Sequence, residues 1–237
     1  SVPLYWAAPQ QHLSTEGGMH RFTWDLHYDP VGPRGPGDDN GAAVPHHTYP
    51  AVNSPWAPPG AYTVRLTVDG KHYTQPLTLR LDPRVRTPAA GLARLASLSR
   101  EMYDGAVEVQ RAYDRARALA AALDSAGGDV TGFRAQVDSL APASTGRGGG
   151  RGAFRRPGGG APDAPVTLQS VTGDLIGAAL AMQGADLTPS AGEVAACAKA
   201  RAERGEVLRR WAAVSGPGLA ALNAKRKVAG QPPVRLP

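Results

Sequence analysis

The chain changes character once, near Thr87-Pro88, and that change restricts it to two unlike parts. Thirteen of its 22 prolines and all six histidines fall at or before Pro88, whereas the remainder is Ala-rich with apolar residues at helical spacing. In the first part, Phe22, Trp24, Leu26 and Tyr28 alternate with polar residues, the pattern of a half-buried strand. Tyr62, Val64, Leu66 and Val68 alternate in the same way, and Asp69-Gly70 then supplies a two-residue type I′ turn. A return strand from Lys71 carries Tyr73, Leu77, Leu79 and Leu81 on its inward face, with Pro76 marking an edge or a bulge. Short alternating strands separated by turn residues predict an immunoglobulin-like or fibronectin-type β-sandwich over residues 1–86. Residues 30–60 form a Pro/Gly-rich loop too long to be structureless in a compact domain, so it must be functional or pinned.

The second part, residues 87–237, predicts an antiparallel α-helical bundle, giving an α+β fold overall. Thr87 can cap a first helix with Pro88 at its first position. Leu95, Met102, Val109, Ala116 and Leu123 recur every seven residues, with Leu98, Gly105, Ala112 and Leu119 at the second seam position. Gly127-Gly128 ends this helix, and a short one is expected over 129–140. Beyond a Gly/Arg-rich loop at 143–165, helical spacing resumes from Val166 to Gln183. Thr188-Pro189 offers another start, with Ser190 and Glu193 as an overlapping capping box. A last short helix is expected from near Pro217 to Gly230, before an extended tail.

Hydrophobic residues at 42% and charged residues at 19% exclude a wholly disordered chain. No apolar run approaches the roughly 18 residues of a membrane-spanning helix. The strand-like opening Ser1-Val2-Pro3-Leu4-Tyr5-Trp6, without Met, reads as a processed product or a piece of something longer. Cys197, the one cysteine, has no disulfide partner and sits in a helical, Ala-rich setting, as an inert core thiol would. The net charge of +6 permits an acidic partner, but Lys and Arg are mostly interleaved with Asp and Glu.

No catalytic constellation is present, and no cofactor or metal is expected. His12, His20, His27, His46, His47 and His72 lack ligand spacing, and Asp38-Asp39-Asn40-Gly41 lacks the distal Glu of a calcium loop. Asp25 would be a general acid only in a cleft, and otherwise anchors backbone. The candidate residues are therefore those of contact. Trp6, Trp24 and Trp56 form either a sugar-stacking platform or core. Arg147, Arg151, Phe154, Arg155 and Arg156 lie in a segment that resembles Arg-Gly binders of single-stranded nucleic acid, although a plain connecting loop explains it better.

The run Gly18-Met19-His20-Arg21-Phe22-Thr23-Trp24-Asp25-Leu26-His27-Tyr28 resembles the start of the region that follows the β-propeller in secreted bacterial BNR-repeat, sortilin-like proteins. These are often labelled glycosyl hydrolases. The resemblance continues through 56–70, 73–78 and 81–85, and ends with Leu219-Ala220-Ala221-Leu222-Asn223-Ala224 and Gly230. It implies a C-terminal region with an immunoglobulin-like domain and a helical bundle, extracellular or periplasmic. The Asp-box blades of the propeller are absent from this sequence, so no catalytic residue is carried over. The expected function is a non-catalytic module working through protein contacts, with its own propeller or further copies as partner and self-assembly into a polymer as one outcome. The alternative is a carbohydrate-binding accessory module of a propeller glycoside hydrolase.

Overall fold

The structure, a computed structural model, describes residues 13–32, 54–143 and 166–236. Strands β1 (Gly60–Val68) and β2 (Lys71–Leu79) are followed by helices α1 (Ala89–Ser125), α2 (Thr131–Leu140), α3 (Leu168–Ala181), α4 (Ala191–Ala213) and α5 (Leu219–Val228). More than half of the described residues are helical.

At 37 residues, α1 is about 55 Å long. The seven-residue seam is what it buries: Met102, Gly105, Val109, Ala112, Ala116, Leu119 and Leu123 face the core, while Leu95 and Leu98 lie at its margin. Small residues on this seam let neighbours approach closely. A Cβ on Gly105 would come within 3.2 Å of the Arg204 side chain and 3.5 Å of Leu175.

The contacts fix the helix directions. Arg201 holds Glu101 through two hydrogen bonds of 2.5 and 2.7 Å, and Arg204 holds Glu108, so α4 runs parallel to α1. Helix α2 runs back along α1, with Arg134 on Asp124, Arg117 on Asp138, and the Tyr113 hydroxyl donating to the carbonyl of Pro142. Arg210 of α4 donates to the carbonyl of Val166 at the entrance to α3, which continues the same antiparallel course. The bundle is thus of three-helix type, with α1 on one side, α4 and α5 on a second, and α2 then α3 along the third. All five helices contribute to one core, together with Val234 of the tail.

The helix starts refine the sequence reading. Thr87 does not cap α1; its hydroxyl donates to the carbonyl of Asp186, tying the α3–α4 connection to the start of α1. For α4 the overlapping alternative is realised: Ser190 accepts from the N–H of Glu193, whose carboxylate accepts from the N–H of Ser190. The helix expected from Pro217 is joined to α4 by a π-helical turn, Val214–Gly218, with Pro217 inside it.

The immunoglobulin-like β-sandwich is not formed. The described residues contain one sheet, the antiparallel pair β1 and β2, registered from Gly60 opposite Leu79 to Val68 opposite Lys71. The hairpin and its turn are as expected, with Asp69 at φ 48° and Gly70 at φ 76°. The run 21–28 is not a strand. Leu26 sits at φ 63°, in the left-handed region, which destroys the alternation that would put Phe22, Trp24, Leu26 and Tyr28 on one face. Its single pairing is a bridge between His27 and Trp56. A second sheet therefore has no strands among the described residues.

The ion pairs between α1 and α2 give the bundle an acid sensitivity. Arg134 bonds both Asp124 and Asp138, and this holds both carboxyls below the usual carboxylate range. Carboxyls lowered in the folded state stabilise it above the unfolded pKa near 3.9 and stop doing so as pH falls through the folded values. The melting temperature is expected to drop on acidification below about pH 4, and by less in Asp138→Asn. Equal pH profiles for the two proteins would remove this network from the cause.

Candidate interaction surface

The hairpin's sequence makes its two faces unlike. Cross-strand partners share a face, so Tyr62, Val64, Leu66 and Val68 lie with Leu77, Gln75, Tyr73 and Lys71, and the other face carries Ala61, Thr63, Arg65 and Thr67 with Thr78, Pro76, Thr74 and His72. The second face is solvated, and the Thr67 hydroxyl and His72 Nδ1 are 2.9 Å apart upon it. An apolar first face opposite would ordinarily lie on a core. Here it does not: neither strand forms more than a point contact with any helix. Val64, Leu66, Val68 and Tyr73 are 52, 45, 47 and 57% exposed.

Only the base of the hairpin is fixed. Trp24 meets Tyr62 edge-on, with centroids 5.8 Å apart, and the indole N–H of Trp24 donates to the carbonyl of His27. Tyr62, Leu77 and Leu79 are half-buried there, and partial burial raises the Tyr62 phenol. The His27 ring stacks on Trp56 at 3.8 Å, and Asp25 accepts from the backbone N–H of His27. From this base the chain is strapped to the bundle. Trp56 N–H donates to Gln183 Oε1 at 2.8 Å, Tyr28 stacks on Tyr103 beneath the Arg100 guanidinium, and the Tyr103 hydroxyl donates to the carbonyl of Asp29. Buried Ser54 closes the strap by donating to the carbonyl of Tyr28. The described end of the long loop is thus pinned, as its length required. Gln183 and Tyr103, which hold the strap, carried no signal in the sequence, because both sit at ordinary helical positions.

Of the contact residues chosen from sequence, Trp56 is in this region, half-exposed and covered on one side by His27. Trp6, Arg147, Arg151, Phe154, Arg155 and Arg156 lie outside the described residues, as do His12, His46, His47 and Asp38 to Gly41. Of the described tryptophans, Trp24 is half-buried with its indole N–H on the carbonyl of His27, Trp56 is half-exposed, and Trp211 is buried in the core. Asp25 serves as a backbone acceptor, taking the N–H of His27. Among the described residues no three His, Cys, Asp or Glu side chains converge, and no helix is long and apolar enough to cross a membrane. Cys197 is buried, its thiol pushed up by desolvation and directed at the Met182 sulfur 3.9 Å away. The C-terminal arm is occupied by its own chain. Asn223 bonds both the N–H and the carbonyl of Val234, whose side chain enters the core.

Fold and surface together define a helical bundle bearing a one-sided β-hairpin. No family model, curated protein or solved structure matches this chain.

Proposed function

We propose that this chain is a non-catalytic interaction module that works through protein–protein contacts, made to its own propeller or to further copies of itself. On the sequence resemblance it is an accessory region of a secreted bacterial β-propeller protein, working outside the cell or in the periplasm. One observation carries the reading: among the described residues no helix or strand covers the apolar face of β1 and β2, and Val64, Leu66, Val68 and Tyr73 are about half-exposed. A two-stranded hairpin without a third strand or a covering helix is at best marginal in water. Contiguous exposed apolar surface of this kind marks interaction sites in folded proteins. The strap of Trp24, Tyr28, Trp56, Tyr103 and Gln183 presents this surface from the bundle at a fixed base.

The test is the mass of the native protein in solution, by light scattering and electron microscopy, with and without a β-propeller of the kind the resemblance implies. Particles heavier than the 24.6 kDa chain, or a complex with the propeller, are expected. The double substitution Leu66→Thr, Tyr73→Thr on the bare face is expected to weaken either assembly at least tenfold, since it removes two large apolar contacts. A monomer across a wide concentration range that also ignores the propeller would end this reading.

A further inference from the structure

Resting on the reading of an interaction module, we infer that the partner surface is a second copy of this chain, joined through the free edge of β1 in an antiparallel, two-fold pairing centred on Val64. The argument starts from the turn. In a two-residue I′ hairpin the residues flanking the turn, here Val68 and Lys71, form a hydrogen-bonded pair, and bonded and non-bonded pairs then alternate along the ladder. Val68, Leu66, Val64 and Tyr62 therefore turn their N–H and C=O groups toward β2, while Ala61, Thr63, Arg65 and Thr67 turn theirs outward. On β2 the outward set is His72, Thr74, Pro76 and Thr78. Pro76 has no N–H to offer, so the β2 edge is interrupted, which is how natural sheets blunt an edge. The β1 edge is intact, and among the described residues no backbone or side-chain partner meets the outward groups of Ala61, Thr63, Arg65 and Thr67.

Such an edge accepts another strand, and side-chain chemistry selects which. Two copies of β1 run antiparallel can pair in three neighbouring registers that keep both apolar faces on one side. Slid one way, Arg65 stands directly opposite its own copy, and like charges so placed are destabilising. Slid the other way, Thr67 faces Pro59, which cannot donate. The central register avoids both. Thr63 faces Arg65, Ala61 faces Thr67, Tyr62 faces Leu66, and Gly60 faces Val68 across the whole strand. The outward groups of the two copies then exchange about eight hydrogen bonds. Val64 and Leu66, about half-exposed in the single chain, become central in a four-stranded sheet, where Leu66 stands between Tyr73 and the copy's Tyr62 and Val64 between Gln75 and the copy's Val64. Among the described residues the hairpin has no extended contact with any helix.

The register makes a sharp test. Val64 faces Val64 as a non-bonded pair, with Cα atoms about 4.5 Å apart, inside the range a disulfide spans. In the full chain, Val64→Cys is expected to form a disulfide-linked dimer under mild oxidation, whereas Val68→Cys, placed opposite Gly60, does not. Arg65→Pro removes an outward N–H without touching the bond pattern to β2 and is expected to weaken self-association more than about tenfold, through the lost bonds and the intruding ring. Thr74→Pro, the same change on the outward set of β2, leaves self-association unchanged and shows that a proline in the hairpin is tolerated. Assembly that persists in Arg65→Pro, or a Val64→Cys protein that assembles without cross-linking, would overturn this pairing and leave the interaction reading standing. Binding to the propeller without self-association would do the same, whereas a monomer that binds nothing overturns both.

Discussion

Arg226→Ala is expected to lower the stability of the bundle by about 3 kcal/mol, more than any exposed arginine in the chain. Arg226 lies on α5 yet is only 3% exposed, and among the described residues no carboxylate pairs with it. Its guanidinium instead donates to the carbonyl oxygens of Ala126 at 2.9 Å, Gly127 at 2.7 Å and Pro232 at 2.9 Å. The first two are the end of α1, a helix with no basic residue in its own last turn. The last carbonyls of a helix are unpaired and carry the negative end of its dipole. Arg226 therefore supplies from another helix both the donors and the positive charge that α1 lacks, and it also seats the C-terminal tail through Pro232. Truncation removes three charge-assisted hydrogen bonds at once and empties the site that the side chain fills. At roughly 2–4 °C per kcal/mol for a chain of this size, the melting temperature is expected to fall by about 6–12 °C. Arg226→Lys keeps the charge but not the planar fork, so it is expected to recover only part of the loss. A fall of under about 2 °C in Arg226→Ala would show that the three carbonyls find other donors.

That role was not legible in the sequence, and the reason is physical. A lysine- and arginine-rich last helix, Lys225-Arg226-Lys227, reads as a solvated face because charge patterning alone does not say which of three adjacent cations points inward. What was legible is what short-range geometry dictates. The seven-residue seam placed α1 and its buried face. Asp69-Gly70 fixed the hairpin and hence its register, and Ser190 with Glu193 marked a true helix start. The β-sandwich failed at one backbone position: alternation from Phe22 to Tyr28 is a statement about side-chain polarity, and Leu26 in the left-handed region is invisible to it. The candidate surface was half-legible in the same sense. Alternation gave Tyr62, Val64, Leu66 and Val68 an inward face, but only the tertiary arrangement shows that none of the described helices lies on it. Trp56 stands out in the sequence as one of three tryptophans suited to stacking, and the structure sets it against His27 at the base of the hairpin. Its anchor, Gln183, carries no such signal, because a glutamine in the turn that ends α3 reads as an ordinary polar surface residue.

The junction of α4 and α5 carries the other large expected effect. Gly216-Pro217-Gly218 reads as a break between helices, yet the chain passes through a π-helical turn and stays continuous from Ala191 to Val228. A π turn accommodates an extra residue in a helix, and it suits Pro217, whose missing N–H would otherwise interrupt the α ladder. Gly218 lets this stretch pass close to α2, since a Cβ there would meet Phe133 at 3.2 Å and the carbonyl of Ala213 at 3.1 Å. The extra residue also sets the phase of α5. Deleting Ser215 would restore an uninterrupted α-helix and turn everything beyond it by about 100°. Leu219 and Leu222, both under 10% exposed, would leave the core, and Arg226 would swing away from the end of α1. With two leucines at about 1.5–3 kcal/mol each and the arginine besides, the deletion is expected to cost more than about 5 kcal/mol and to release α5 and the tail. Ser215→Ala removes only the hydroxyl bond to the carbonyl of Trp211 and is expected to cost about 1 kcal/mol or less. Urea unfolding of the two variants separates the cases. A deletion variant within about 1 kcal/mol of the native protein would mean that the turn can reform one residue along, and that the phase of α5 is set by its docking rather than by Val214–Gly218.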